Sequence, residues 1–177
     1  MSKQKVVAIV GPTCTGKTAL SLAVGRQFPA EIIGCDSRNV YKYFDIGTAK
    51  PSAEEQAEIP HHLIDVAEPQ EEFTAAEFAR QASKAIDDIS ARKKIPIVCG
   101  GTGFYARALL EGLGIPDVPP QPELREQFKL LEENDKGSLY RKLTELDPLT
   151  ATRLNANDLF RVIRALEVCI VSGKAFS

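Results

Sequence analysis

A chain of 177 residues, 44% hydrophobic and 26% charged, can bury one substantial core plus a small appendage, and no stretch of it is disordered by composition. Its net charge of -2 excludes a globally basic nucleic-acid binder, so any RNA contact has to come from a local patch. The scattered cysteines Cys14, Cys35, Cys99 and Cys169 form no C-x-x-C pair, and His61-His62 has no cysteine at zinc-ligand spacing; buried free thiols in a reducing compartment are expected instead of a disulfide framework or zinc site.

Met1 to Lys5 lead straight into a strand rather than into the apolar core of a signal sequence, and no apolar run approaches membrane-spanning length. A cytoplasmic protein with no membrane partner is expected.

The apolar run from Val6 to Val10 predicts a first strand. It ends in Gly11-Pro12-Thr13-Cys14-Thr15-Gly16-Lys17-Thr18, which reads G-x-x-x-x-G-K-[ST] and opens a helix over residues 19–27. Glycines at both ends of such a turn let successive N–H groups face inward, and the new helix adds its positive end. A polyphosphate fits there, with Lys17 reaching its terminal phosphates and the Thr18 hydroxyl placed to hold Mg²⁺. A chance glycine turn is the bland alternative, and the strand-turn-helix context argues against it.

Residues 31–35 predict a second strand, which puts Asp36 and Ser37 at its carboxyl end, where ligands bind in open parallel sheets. Asp36 either orders a metal ion, caps a turn or meets the reacting group. Residues 38–50 show no period and read as a loop or short helix, and residues 51–60 as an acidic surface segment. Leu63-Ile64-Asp65-Val66 predicts a short third strand, preceded by a histidine pair of structural character. Thr74-Ala75-Ala76-Glu77 spells a capping box for a helix to about Arg92, with Phe78, Ala82, Ala85, Ile86 and Ile89 on its buried face. Residues 96–99 predict the next buried strand. Gly100, Gly101 and Gly103 then bend into a helix over 104–110, serving either a tight turn or a close approach to ligand.

Four prolines within residues 112–122 break the helix-strand alternation and mark a boundary. Only helices are predicted after it, over 123–133, 138–146, a short one opened by Asp147-Pro148, and 158–172 closed by Gly173. In the last, Leu159, Val162, Ile163, Leu166 and Ile170 form the predicted buried stripe, with Arg161 and Arg164 as a basic ridge on another face. The expected fold class is therefore α/β: a P-loop NTPase-like parallel sheet with flanking helices over 1–111, and a helical appendage over 112–177.

Taken together, the phosphate loop, Asp36-Ser37 with Tyr41 and Asp45-Ile46-Gly47-Thr48-Ala49-Lys50-Pro51, Gly100-Gly101-Thr102 with Tyr105, and Asn157-Asp158 with Arg161 to Val168 resemble the tRNA dimethylallyltransferases, also called tRNA isopentenyltransferases. His61-His62-Leu63-Ile64-Asp65 resembles the family's segment too. The resemblance implies transfer of a dimethylallyl group from dimethylallyl diphosphate to N6 of adenosine 37 in tRNA, releasing diphosphate. It implies diphosphate binding by Gly11, Pro12, Thr13, Cys14, Thr15, Gly16, Lys17 and Thr18, with Mg²⁺ on Thr18 and with Asp36 and Thr13 as catalytic residues. Contacts to the tRNA anticodon loop would fall on Asp36, Ser37, Arg38, Asn39, Thr102, Leu124, Phe160, Arg161, Val162, Ile163 and Arg164.

A carboxylate is suited to take the proton of an aromatic amine as it is alkylated, and a stacked base must first be turned out to be reached. Asn39 stands where members often carry Gln, one methylene longer, so a base-edge hydrogen bond there is lost or bridged by water. The resemblance also implies a chain that continues beyond residue 177, and a monomer. Three rivals remain at this stage. They are an adenylate dimethylallyltransferase of the cytokinin type, a small-metabolite kinase using the loop for ATP, and a non-catalytic fragment that binds phosphate or RNA.

Overall fold

Among the described residues four parallel strands form, β1 (Val7–Val10), β2 (Ala30–Gly34), β3 (His61–His62) and β4 (Ile95–Gly100), in the spatial order β1-β4-β2-β3; β1, β2 and β4 are short runs rich in β-branched and apolar residues, whereas β3 is a polar pair. The computed structural model describes residues 5–116 and 118–177; Met1 to Gln4, where the leader expectation falls, and Asp117 of the proline-rich stretch lie outside them. The chain divides into two units, the first ending at Ile115 and the second running from Pro116 to Ser177.

In the first unit β4 lies between β1 and β2, with Ile97 opposite both Val7 and Ile32. Successive side chains of β2 and β4 point to opposite faces, and both faces are covered, which is why these strands are mostly apolar, with Glu31 of β2 as the buried charged exception. Ile33 and Val98 pack with Phe78, Ala82 and Ile86 of α3 (Ala75–Ala91) and with Tyr105 of α4 (Gly103–Leu110). Phe78 and Tyr105 stack at 4.5 Å between ring centroids. Ile32 and Ile97 face the other way, onto Leu22 of α1 (Lys17–Gln27) and Ile59. Each such fully buried aliphatic side chain contributes about 1.5–3 kcal/mol. β1 is at the edge of the sheet, with Val7 and Val10 41% and 51% exposed.

In the first unit a strand, a surface segment and a helix cap differ from the sequence expectation. The third strand is made by His61 and His62, not by residues 63–66: Leu63 and Asp65 take φ of 60° and 56° and turn the chain away from the sheet. The N–H groups of Asp65, Val66 and Ala67 bond instead to the carbonyls of Asn39 and Val40. Leu63 and Ala67 are buried by this turn, so apolar content there reported burial and not strand. The acidic segment holds a short exposed helix, α2 (Ala53–Glu58), with a full capping box between Ser52 and Glu55. At Thr74 only half of the expected box forms, because Glu77 gives its carboxylate to Arg80 and Gln81.

The second unit consists of α5 (Pro122–Asn134), α6 (Ser138–Leu146), α7 (Pro148–Arg153) and α8 (Leu159–Ser172), the last closed by Gly173 at φ 66°. Phe128, Leu139, Leu143, Val162, Ala165 and Leu166 form its core. The predicted stripe of α8 is corrected at its ends, since Leu159 and Ile170 are exposed and the buried face carries Ala165 and Cys169. The ridge is corrected too. Arg161 is exposed beside Asp158, but Arg164 turns inward, donating to Glu167 at 2.5 Å and to the carbonyl of Val118 at 2.8 Å. Glu167 is fully buried and also accepts from Arg125 and from the backbone N–H of Gln121. Burial alone would raise its pKa; the hydrogen bonds from Arg125, Gln121 and Arg164 overcome this and hold it at about 2.

Candidate active site

β1 delivers the chain into the glycine turn, and α1 begins at Lys17. Gly16 sits at φ 80° and Cys14 at φ 61°, two left-handed residues that curl the loop. Gly16 is the N-cap of α1, and no side chain caps that end. The first N–H groups of the helix are thereby left for an anion. Thr15 Oγ1 donates to the carbonyl of Pro12 at 2.9 Å, and the Lys17 ammonium folds back onto the same carbonyl.

Beside the loop, the ends of β2 and β4 are fused by their backbones. Cys35 N donates to the Cys99 carbonyl at 2.8 Å, and Thr102 N to the Cys35 carbonyl at 3.1 Å. A Cβ on Gly100 would fall 2.1 Å from the Cys35 carbonyl oxygen, so this glycine serves the close approach of two strands and not of a ligand. Thr102 Oγ1 accepts from Ser37 N at 2.9 Å, fixing the turn that carries Asp36.

A cavity of about 250 Å³ opens over these ends. Thr13, Cys14, Thr15, Gly16, Lys17 and Thr18 line it together with Asp36 and Asn39. Asp36 uses Oδ1 to accept from the N–H groups of Arg38, at 2.8 Å, and Asn39, at 3.3 Å. Its Oδ2 accepts no hydrogen bond among the described residues. His61 lines the same cavity. Its Nδ1 contacts the Ile59 carbonyl at 2.7 Å, which fixes the proton on Nδ1 and leaves Nε2 as an acceptor. Burial lowers the pKa of His61 and keeps the ring neutral. Nε2 of His61 and Oδ1 of Asn39 are both buried without a hydrogen-bond partner among the described residues. Buried polar atoms are rarely left so in a finished interior.

The oxygen donors lining the cavity include the Thr18 hydroxyl and the Asp36 carboxylate, and the described residues hold no cluster of three or more His, Cys, Asp or Glu able to bind a metal alone. One hydroxyl and one carboxylate suit a hard divalent cation that completes its shell with phosphate oxygens and water.

Thr48, Ala49 and Pro51 also line the cavity. Lys50, between them, has a side chain only 5% exposed and bonds to Asp45 at 2.7 Å, Asp65 at 2.6 Å and the Tyr41 carbonyl at 3.0 Å. Burial would lower its pKa, but the two carboxylates raise it on balance, so it stays charged. Sequence reasoning gave the histidine pair a structural character and used Lys50 only as part of the resemblance, placing neither at the site; the partners of Lys50 include groups on other segments, and no local period points to either residue.

Of the predicted residues, Thr13 to Thr18, Asp36 and Asn39 meet at one cavity. Gly11, Pro12 and Thr102 line a second hollow. Ser37 is tied to Thr102, and Arg38 is exposed. Leu124 and Phe160 to Arg164 belong to the second unit, where Phe160, Ile163 and Arg164 border a small hollow with Arg125 and Lys129. The cysteine expectation holds for Cys35 and Cys169, which are buried, but Cys14 is exposed on the phosphate loop. Burial pushes the Cys35 thiol up to about 12. Among the described residues no helix is long and apolar enough to cross a membrane.

A family model described as IPP transferase matches residues 39–177. The tRNA dimethylallyltransferase of Chloroflexus aurantiacus is 47% identical over 175 residues, which cover 98% of this chain and 59% of that protein. The one from Solibacter usitatus is 49% identical, over 97% of this chain and 56% of its own length. The solved full-length tRNA isopentenylpyrophosphate transferase of Bacillus halodurans is 39% identical with a TM-score of 0.63, covering 97% of this chain and 57% of that one. A eukaryotic dimethylallyltransferase, solved acting on tRNA, gives a TM-score of 0.82 at 36% identity, over 98% of this chain and 43% of its own. The chain thus spans little more than half the length of the curated relatives named here.

Proposed function

Because the chain belongs to the IPP transferase family, we propose that the gene product transfers the dimethylallyl group of dimethylallyl diphosphate to N6 of adenosine 37 in tRNA. The observation that carries this reading is the meeting, in one cavity, of an uncapped phosphate loop with Asp36, whose Oδ2 faces no partner among the described residues.

The loop N–H groups and Lys17 hold the diphosphate and take up charge as the allylic C–O bond breaks with its electron pair going to the leaving group. The N6 lone pair forms the new C–N bond, and Asp36 Oδ2 accepts the amine proton. Thr13 lies on the same wall and aligns the two reactants. Thr18, with the diphosphate oxygens, would hold Mg²⁺, which when bound neutralises phosphate charge as a Lewis acid. No phosphoryl group moves. The base enters extruded from the anticodon loop, whose contacts we assign to Asp36 to Asn39, Thr102, Leu124 and residues 160–164. We place the protein in the cytoplasm, acting as a monomer.

Incubation with labelled dimethylallyl diphosphate and either tRNA or AMP tests this. The expected result is label on the adenosine that follows the anticodon and none on AMP. Label on AMP alone, or transfer of a γ-phosphate from ATP, would overturn the reading.

A further inference from the structure

We propose that the loop of residues 43–47 is a wedge that packs against unstacked bases of an RNA loop at the mouth of the cavity. The proposal rests on the prenyl-transfer reading of that cavity.

Tyr43 is 75% exposed and Ile46 is 98% exposed, at the tip of a loop whose two feet, Asn39 and Thr48, both line the cavity. An apolar tip on a floppy loop would be unremarkable. This one is clamped. Lys50 ties Asp45 within the loop to Asp65 and to the Tyr41 carbonyl, Thr48 Oγ1 donates to the Phe44 carbonyl at 2.5 Å, and the rings of Tyr41 and Phe44 meet at 5.8 Å. At the base, Tyr41 bridges to Ala67 and Lys42 N donates to the Ala67 carbonyl. Tyr43, Gly47 and Ala49 all take positive φ, which folds the tip tightly and turns Ile46 out to solvent. A preorganised apolar tip gives up little conformational entropy when it binds.

The chemistry of the cavity selects RNA as the occupant over a protein. When an adenine leaves its stack, its neighbours lose a stacking face, and an aromatic or aliphatic side chain inserted beside them replaces it. The carboxylate at the tip, Asp45, shares the Lys50 ammonium with Asp65, which offsets part of its charge toward phosphates. Arg38, exposed near the foot of the loop, adds a cation for the backbone.

The test uses the intact gene product and an anticodon stem-loop RNA with 2-aminopurine at position 37, whose fluorescence rises when the base is unstacked. Ile46→Ser and Tyr43→Asn, the latter tolerant of the left-handed backbone, should each weaken RNA binding about tenfold or more and reduce the fluorescence rise. Affinity for inorganic pyrophosphate should not change, which also reports an intact fold. RNA affinity and fluorescence equal to the parent in both variants would overturn the wedge. If the parent itself bound no stem-loop yet alkylated AMP, the RNA reading beneath it would fall, and the wedge with it.

Discussion

At one end of β2, Glu31 is 3% exposed and every hydrogen bond around it is made within the protein: His62 at 2.7 Å, Arg92 at 2.7 Å and Lys94 at 2.9 Å. Just past the other end of the strand, Asp36 engages one oxygen with two backbone N–H groups and leaves the other open on a cavity that also contains two buried, unpartnered polar atoms. Both residues are carboxylates on the same short segment. Glu31 stabilises the fold and has no capacity left for a ligand, whereas the Asp36 region keeps acceptors unspent among the described residues. The buried carboxylates of Glu31 and Glu167 are fully paired within the fold, whereas the half-buried Asp36 and the neighbouring Asn39 and His61 are incompletely paired among the described residues.

The contrast is broken most severely at the phosphate loop. Lys17→Ala should lower kcat/KM by about a thousandfold and weaken pyrophosphate binding, with the melting temperature unmoved, as steady-state kinetics and calorimetry would show. Glu31→Ala should do the reverse. Removing the carboxylate strands His62, Arg92 and Lys94 around a new void, and we expect a loss of about 2–4 kcal/mol in denaturant unfolding, with kcat retained where the protein stays folded. The smallest effect is on pH. Burial would raise the pKa of Glu31, but the bonds from His62, Lys94 and Arg92 lower it from 4.5 to about 2. A carboxylate depressed on folding contributes stability that is complete above about pH 4.5 and is lost as pH falls toward 2, so acid unfolding of the wild type should be steeper across that window than that of Glu31→Ala.

What the sequence reveals follows the range of the interactions. The phosphate loop is legible because its chemistry is spelled by neighbours: glycines where the backbone curls, a lysine at the helix start. α6 falls where its apolar period and flanking breakers put it, and α8 ends at its glycine. Ser52-Ala53-Glu54-Glu55 carries the signature of the short helix it caps, and composition alone concealed it. The third strand misled because Leu63 and Val66 look like strand residues, yet the pairing goes to the polar His61-His62, placed by Ile32 and Ile33 opposite. Arg164 reads as surface from its helix face alone, since its partners Val118 and Glu167 declare themselves only in the folded unit. Lys50 is invisible as a site residue for the same reason: its partners include a group on a separate segment.

The most direct test of the central claim, that Asp36 removes the amine proton while the loop holds the leaving group, is the single-turnover rate of Asp36→Asn measured beside its affinity for pyrophosphate. Asn keeps an oxygen to accept from Arg38 and Asn39 but cannot take a proton. We expect the rate of prenyl transfer to fall about a hundredfold or more, with pyrophosphate affinity unchanged. A fall of rate and affinity by the same factor would contradict the account and make Asp36 a holder of the diphosphate and its metal.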